Sequence, residues 1–239
     1  MINSKEKPAL PMHVGIIMDG NRRWARKHFL PASSGHSRGA ETFKKLALYC
    51  QKIGLRYLTV YAFSTENWKR SKDEINILMI LFKKYIDTVI SEFKNENIKI
   101  KFIGDISKFS CEIQEGIKII ESETSNHTGM HLNIAMNYGS RSEISFAAKT
   151  IAERIASGDL DAKKIDENLF QNYLYTCDCP DLDLIIRTAG EQRLSNFMLW
   201  QAAYAEFYFS DVLWPDFSTE EFDKAISEYF TRIRKFGGQ

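Results

Sequence analysis

Short apolar runs alternate along this chain with stretches of helical period, and the runs are too continuous for strands with one wet face. They are Val14–Met18, Tyr57–Phe63, Ile98–Ile103, His131–Met136 and Leu184–Ile186, with a shorter one at Phe207–Phe209. Strands that are apolar on both sides must be covered on both faces. Between them, Phe43, Leu46, Ala47, Cys50 and Ile53 fall on one helical face, and Gly54 supplies a stop. Ser71-x-x-Glu74, Ser140-x-x-Glu143 and Ser218-x-x-Glu221 each read as a capping box ahead of an apolar-periodic run. Such alternation calls for parallel strands joined by right-handed crossovers. The expected fold is one α/β domain over residues 1–239, with a central, mostly parallel sheet of about six strands flanked by helices, and residues 1–12 flexible.

Composition narrows the function classes. A net charge of +1 gives no global field for nucleic acid, so any anion site must be local. The four cysteines are scattered, and Cys177-Asp178-Cys179 lacks the two-residue gap of common zinc knuckles; they read as reduced thiols in a cytoplasmic protein. The opening "MINSKEKPALP" is polar and proline-broken, unlike a secretory signal, and no apolar run approaches the roughly 18 residues of a membrane span.

In parallel sheets ligands sit beyond the carboxyl ends of the strands. The first run delivers Asp19, Gly20, Asn21, Arg22, Arg23 and Trp24, and the second delivers "STENWKR", Ser64 to Arg70. The run ending at Met136 delivers Asn137 to Arg141, and the fifth delivers "RTAGEQRLSNF" with Arg187, Arg193 and Ser195. Arginine's rigid fork suits phosphate oxygens, Gly20 permits close backbone approach, and a helix opening offers free N–H groups. Ser195 is the expected N-cap of a second such helix, Phe197–Tyr204. Two arginine-rich openings imply two phosphorylated substrates. An acid set among arginines is a poor general base, so Asp19 is better suited to hold Mg²⁺, with Glu206 in "AYAEFYF" as a second ligand or the partner of a buried arginine. From Ile75 to Phe93, a normal core stripe (Ile75, Leu78, Met79, Phe82, Ile86, Val89, Phe93) is widened by Ile77, Ile80, Leu81 and Tyr85. Such a helix is buried, lines a cavity or meets a partner, and beside two phosphate sites the cavity would suit a long hydrocarbon.

The motifs "HVGIIMDGNRRWAR", "SGHSRGAE", "LTVYAFSTENWKR", "IAMNYGSR", "DLIIRTAGEQRLSNFMLWQAAYAEFYF" and "LWPDF" closely resemble those of the cis-prenyltransferases, in order and as far as the terminal "RKFGG". The resemblance implies a hydrophobic tunnel and a homodimer that uses Mg²⁺ to add isopentenyl diphosphate to an allylic diphosphate such as farnesyl diphosphate. The product would be a long-chain cis-polyprenyl diphosphate of the undecaprenyl type, a precursor of the cell-wall lipid carrier, made in the cytoplasm with transient contact at the inner face of the membrane. By position, Asp19 matches the acid associated with Mg²⁺ and diphosphate, and Glu206 the second metal residue. Gly20, Asn21, Arg22, Arg23, Trp24 and His36 match the allylic diphosphate region; Ser64, Thr65, Glu66, Trp68 and Arg70 match the second-strand motif; and Asn67 matches the amide given a part in proton removal. Arg187, Arg193, Leu194 and Ser195 match the isopentenyl diphosphate site.

Three positions depart from the pattern. Ala32 stands where the family often has arginine, Arg22 where bacterial members commonly have glycine, and Ala189 where many have glycine. Arg22 is expected to compensate in part for the guanidinium missing at 32. An aspartyl-phosphate phosphatase would want a second acid at position 21, which is Asn21, and a helical-bundle prenyltransferase would carry an Asp-Asp-x-x-Asp box, which is absent. A non-catalytic partner subunit would lose the acid and phosphate-binding side chains that Asp19, Asn67 and Arg193 retain.

Overall fold

The protein is seen in a computed structural model that describes residues 10–93 and 95–232, the side chains of 87–92 excepted. Six strands, β1 (His13–Ile17), β2 (Tyr57–Ser64), β3 (Lys99–Ile103), β4 (His131–Tyr138), β5 (Leu184–Arg187) and β6 (Glu206–Phe209), form one sheet in the order β3-β4-β2-β1-β5-β6. Every pairing is parallel. Each of the six expected runs is thus a strand. The expected flexible stretch at 1–12 falls largely outside the described residues, as do Val89's side chain and the closing "RKFGG".

Among the described residues seven α-helices flank the sheet: α1 (Asn21–Lys27), α2 (Ala32–Ile53), α3 (Lys72–Phe93), α4 (Cys111–Thr124), α5 (Ser140–Ala156), α6 (Glu167–Gln171) and α7 (Thr219–Thr231). Leu46, Ala47 and Cys50 of α2 are buried on the expected face, and Gly54 ends the helix in the left-handed region at φ 87°. On α3, Leu78 and Ile86 are buried and Met79 and Phe82 pack on the core, while Ile80 faces solvent. Ser71 and Ser218 cap as expected, each accepting from the N–H three residues on at 3.4 Å. Ser140 does not: β4 runs on through Tyr138, Gly139 takes the cap position, and the Ser140 hydroxyl accepts from the Leu199 N–H at 3.0 Å. Glu143 is buried instead, accepting from the Tyr138 hydroxyl at 2.5 Å and the Tyr175 N–H at 2.9 Å.

The second misplaced element is the helix expected over Phe197–Tyr204. The chain there is a series of turns, entered through Ser195, Asn196 and Met198 at positive φ. Long-range hydrogen bonds to Ser195 and Asn196 hold this backbone in place of helical ones.

Connections from β1 lead to one side of the sheet and those from β4 cross to the other, so the chain changes direction between β1 and β5. Their carboxyl ends form the crevice where parallel sheets bind ligands. A buried polar line braces the opposite end. His13 Nδ1 donates to Pro180 O at 2.7 Å, and its Nε2 accepts from the Thr59 hydroxyl at 2.8 Å. Asn133 Nδ2 donates to the same Thr59 oxygen at 3.1 Å.

Burial lowers the His13 pKa to about 4 from its ordinary 6.5. The neutral ring therefore stabilises the folded state, fully above about pH 6.5, and this stability is lost as pH falls toward 4, where the unfolded chain takes up the proton. Urea unfolding is expected to show a loss of about 3 kcal/mol from His13 between pH 7 and pH 4. His13→Gln should flatten that slope, and an unchanged slope would show that His13 is not its source.

Candidate active site

Asp19 leaves β1 and meets Arg187 at the end of β5, the residue in register with Ile17. Arg187 is buried, and its Nη2 donates to Asp19 Oδ2 at 2.9 Å. Its Nη1 donates to the Ser195 hydroxyl at 2.8 Å and to the carbonyl of Arg193. Thr188 fixes the Asp19 backbone from both sides: its hydroxyl accepts from Asp19 N–H at 2.9 Å and lies 2.7 Å from the Asp19 carbonyl as donor. Gly20, at φ 110°, begins α1, and a side chain there would press on Leu213 and Ala189.

A cavity of about 640 Å³ opens over this junction. Asp19, Asn21, His36, Ser64, Glu66, Asn67, Arg70, Arg187, Arg193 and Ser195 line it, with Asn196 beside them. Ile17, Met18, Tyr61, Ala62 and Leu78 give it an apolar wall. Its size suits a small-molecule ligand, and apolar walls with a few converging polar groups are the usual form of such sites. Among the described residues, four buried side-chain polar atoms lack a partner, and three belong to lining residues: Asn21 Oδ1, His36 Nε2 and Arg187 Nε. Buried polar atoms are normally satisfied, so this concentration marks a place where a polar ligand belongs.

The cations here are matched by internal acids. Arg23 lies 3.4 Å from Asp19 and 3.2 Å from Glu191, and donates to the Ala189 carbonyl at 2.9 Å. Arg193 pairs with Glu191. Glu74, in the first turn of α3, takes Arg70 on one oxygen at 2.8 Å and Arg22 on the other at 3.2 Å. Burial lowers the His36 pKa to about 4, with Arg70 adding to the effect, so this ring is neutral at pH 7. Burial would raise the Glu66 carboxyl, but the hydrogen bond from Asn196, at 2.9 Å, and its own turn hold it below the usual value.

Not every expected site residue is on the cavity wall. Trp24 donates to Asp216 at 2.7 Å and fastens α1 to the turn at Trp214–Asp216. Trp68 donates to Asn137 Oδ1 at 2.7 Å and packs on Phe63 and Phe109, so it is a structural prop. Thr65 and Leu194 flank the cavity without lining it, as do Gly20, Arg22 and Arg23. Asn67 Oδ1 accepts from the Ser64 N–H at 3.1 Å, which occupies the amide's acceptor in capping its own turn. Glu206 opens β6 opposite Leu184, at the other end of the sheet from Asp19, and pairs with Arg232 at 3.0 Å, the arginine partner that was its alternative reading. Within one chain it does not join Asp19. Thr188, Glu74 and Asn196 were missed as site-builders, although Thr188 and Asn196 lie inside the motif that holds Arg187 and Ser195.

Among the described residues no cluster of three or more His, Cys, Asp or Glu side chains could cage a metal. Asp19 nonetheless fits Mg²⁺, which typically takes one or two carboxylates and completes its shell with phosphate oxygens and water.

A parallel α/β sheet with an acid and a buried arginine facing each other at its switch point defines an anion-handling α/β enzyme. The family model described as "Putative undecaprenyl diphosphate synthase" matches residues 17–237. An isoprenyl transferase of Clostridium tetani is 48% identical over 96% of this chain and 90% of its own length. The ditrans,polycis-undecaprenyl-diphosphate synthase ((2E,6E)-farnesyl-diphosphate specific) of Haemophilus influenzae is 48% identical over 96% of both chains. Among solved structures, lavandulyl diphosphate synthase from Lavandula x intermedia, in complex with dimethylallyl diphosphate, aligns with a TM-score of 0.93 at 37% identity, over 95% of this chain and 98% of that one. The chain belongs to the cis-prenyltransferase family, and it is a transferase.

The Asp19–Arg187 pair yields a stability prediction. Asp19→Ala leaves a buried guanidinium without its anion and is expected to cost about 3 kcal/mol. Adding Arg187→Met should recover part of that loss in thermal melts. A double-variant loss equal to the sum of the two single-variant losses would mean that the two side chains are not coupled.

Proposed function

We infer that this chain joins isopentenyl diphosphate units to an allylic diphosphate such as farnesyl diphosphate, each new double bond cis. The product is a long-chain polyprenyl diphosphate of the undecaprenyl class. The observation that carries this reading is the pairing of Asp19 with Arg187 on a cavity that combines arginines with an apolar wall. A diphosphate bearing a hydrocarbon has both of those needs. The names of the relatives, at 48% identity, supply the cis geometry and the chain class.

The isopentenyl double bond attacks allylic C1, the C–O bond to diphosphate breaks, and a proton then leaves the new chain. Negative charge builds on the departing diphosphate, and guanidinium groups fixed before the reaction stabilise it with little reorganisation. Arg187, its position held by Asp19, Ser195 and the Arg193 carbonyl, offers such a fixed guanidinium to the isopentenyl diphosphate. Arg193 and Ser195, on the loop after it, bind the same isopentenyl diphosphate, while His36, Asn21 and Arg70 face the allylic one and Arg23 flanks it. Mg²⁺ bound at Asp19 would neutralise part of the diphosphate charge. A neutral amide accepts a proton poorly, so Asn67 positions the group that takes the proton and does not itself act as base. Tyr61, Ala62, Met18 and Leu78 begin the path of the hydrocarbon, the expected tunnel.

A second copy fits the β6 edge, where Tyr204 and Phe209 are exposed. Any metal role for Glu206 requires such a copy. We place the reaction in the cytoplasm; among the described residues no helix is long and apolar enough to cross a membrane.

The decisive experiment supplies Mg²⁺, farnesyl diphosphate and labelled isopentenyl diphosphate. Elongation to a long product with new cis bonds is expected, and no elongation, or all-trans bonds, would overturn the reading. Asp19→Asn should lower turnover by at least about 100-fold, and turnover within a few-fold of the parent would remove Asp19 from the chemistry.

Arg22 reaches the cavity only through Glu74 and Arg70. Arg22→Gly is accordingly expected to raise the allylic KM by about fivefold at most, with kcat unchanged. If neither Arg22→Gly nor Ala32→Arg alters that KM, compensation between the two positions is excluded.

A further inference from the structure

The turn that ends α1 carries a feature that neither the fold nor the reaction uses. The Leu30 N–H bonds back to the Ala25 carbonyl at 2.9 Å and the Phe29 N–H to the Arg26 carbonyl at 3.2 Å, which places Phe29 in the left-handed region at φ 57°. The same chain closes α2 with the same pair of bonds, Leu55 to Cys50 and Gly54 to Gln51, and there the left-handed residue is glycine. Glycine is the ordinary choice at this position because a side chain strains it. Phe29 bears that strain and buries nothing, for it is 97% exposed.

Its neighbours are of one kind. Arg26, Lys27, His28, Leu30 and Pro31 are all exposed, and Leu30 shows 45% of its surface. α1 contains no acidic residue, and among the described residues no ion pair involves Arg26 or Lys27. The Trp24 ring lies 4.3 Å from His28 just behind the tip. The result is an exposed apolar tip flanked by two cations, Arg26 and Lys27.

We propose that the α1–α2 tip, Phe29 and Leu30 flanked by Arg26 and Lys27, is a docking point for an anionic lipid surface, into which the Phe29 ring inserts. Aromatic rings at headgroup level together with basic residues are the recurring elements of interfacial attachment. The charge is complementary to anionic lipid, and each cation near such a surface adds attraction within a Debye length. A stable protein interface needs about 800 Å² from each partner, more than two protruding side chains offer. α1 runs from Asn21 at the cavity to the tip over seven residues, about 10 Å. Docking here would hold the diphosphate site one short helix from the lipid. The proposal concerns the protein without substrate and does not depend on the reaction assigned above.

Sedimentation with vesicles tests it: phosphatidylcholine alone, and phosphatidylcholine with one quarter phosphatidylglycerol, at low and at physiological salt. The full chain should bind the anionic vesicles and lose affinity as salt rises. Phe29→Gly should bind at least fivefold more weakly while its Tm rises by about 2–4 °C as the strain is relieved. Opposite signs in one variant separate docking from folding. Arg26→Gln with Lys27→Gln should weaken binding and reduce its salt dependence. No binding by the parent, undiminished binding by Phe29→Gly, or a fall in that variant's Tm would each overturn the proposal. So would a change in oligomeric state as the sole effect of Phe29→Gly.

Discussion

The guanidinium of Arg187 is the constraint around which the upper end of the sheet is arranged. A buried charge is tolerated only when it is paired and hydrogen-bonded, and Arg187 takes its partners from three places: Asp19 after β1, the Arg193 carbonyl, and the Ser195 hydroxyl. Asp19 is held in turn by Thr188 and, through its carbonyl, by the Trp214 N–H at 3.0 Å. One buried cation thus ties the first strand, the fifth strand, the loop beyond it and the turn under α1. The acid that faces the cavity is therefore part of the frame as well as of the proposed chemistry, and loss of activity on removing it must be read beside loss of stability.

Much of this was legible in the sequence because it depends on local pattern. Runs apolar on both sides could only be covered strands, and Gly54 stood where a helix needs a left-handed stop. The polar segments after those runs had to gather at one rim once the strands were parallel. What could not be read was set by contacts across the chain. Phe197–Tyr204 has helical composition, but Ser195 and Asn196 are pulled into left-handed backbone by Arg187, Glu66 and the Arg141 N–H. Glu143 looked like a capping acid and is instead a buried acceptor for Tyr138 and Tyr175. Glu206 follows an apolar stretch at the start of its strand, and only the register of β6 on β5 shows that it faces away from Asp19's end of the sheet.

Backbone strain is distributed unevenly. Of the seven non-glycine residues at positive φ among the described residues, Asn137, Ala189, Ser195, Asn196 and Met198 lie at or beyond the carboxyl ends of β4 and β5. Each such residue costs on the order of 1 kcal/mol and persists only where its surroundings impose it. Here the benefit is visible. Asn137 at φ 46° receives Trp68 and donates to the Asp105 carbonyl at 2.6 Å, which pins the Ser64–Arg70 segment to β4. Ala189 at φ 72° turns its carbonyl to Arg23. Strain in the loops is exchanged for fixed positions of the side chains that line the cavity.

The charges follow a related logic. Arg22 and Arg70 share Glu74, Arg23 and Arg193 share Glu191, and Arg187 holds Asp19, so the arginines at and around the cavity already hold anions of the protein's own. Such pairs are worth little where exposed and are costly to break where buried. The exposed Arg193 and Arg22 can exchange a carboxylate for a phosphate at little cost, whereas Arg187, at the bottom, cannot leave Asp19 without a replacement. The site is thereby graded from fixed to exchangeable charge. A ligand has to be anionic enough to compete at the rim and shaped to reach the unpaired Arg187 Nε and His36 Nε2, and a diphosphate meets both conditions better than a single carboxylate.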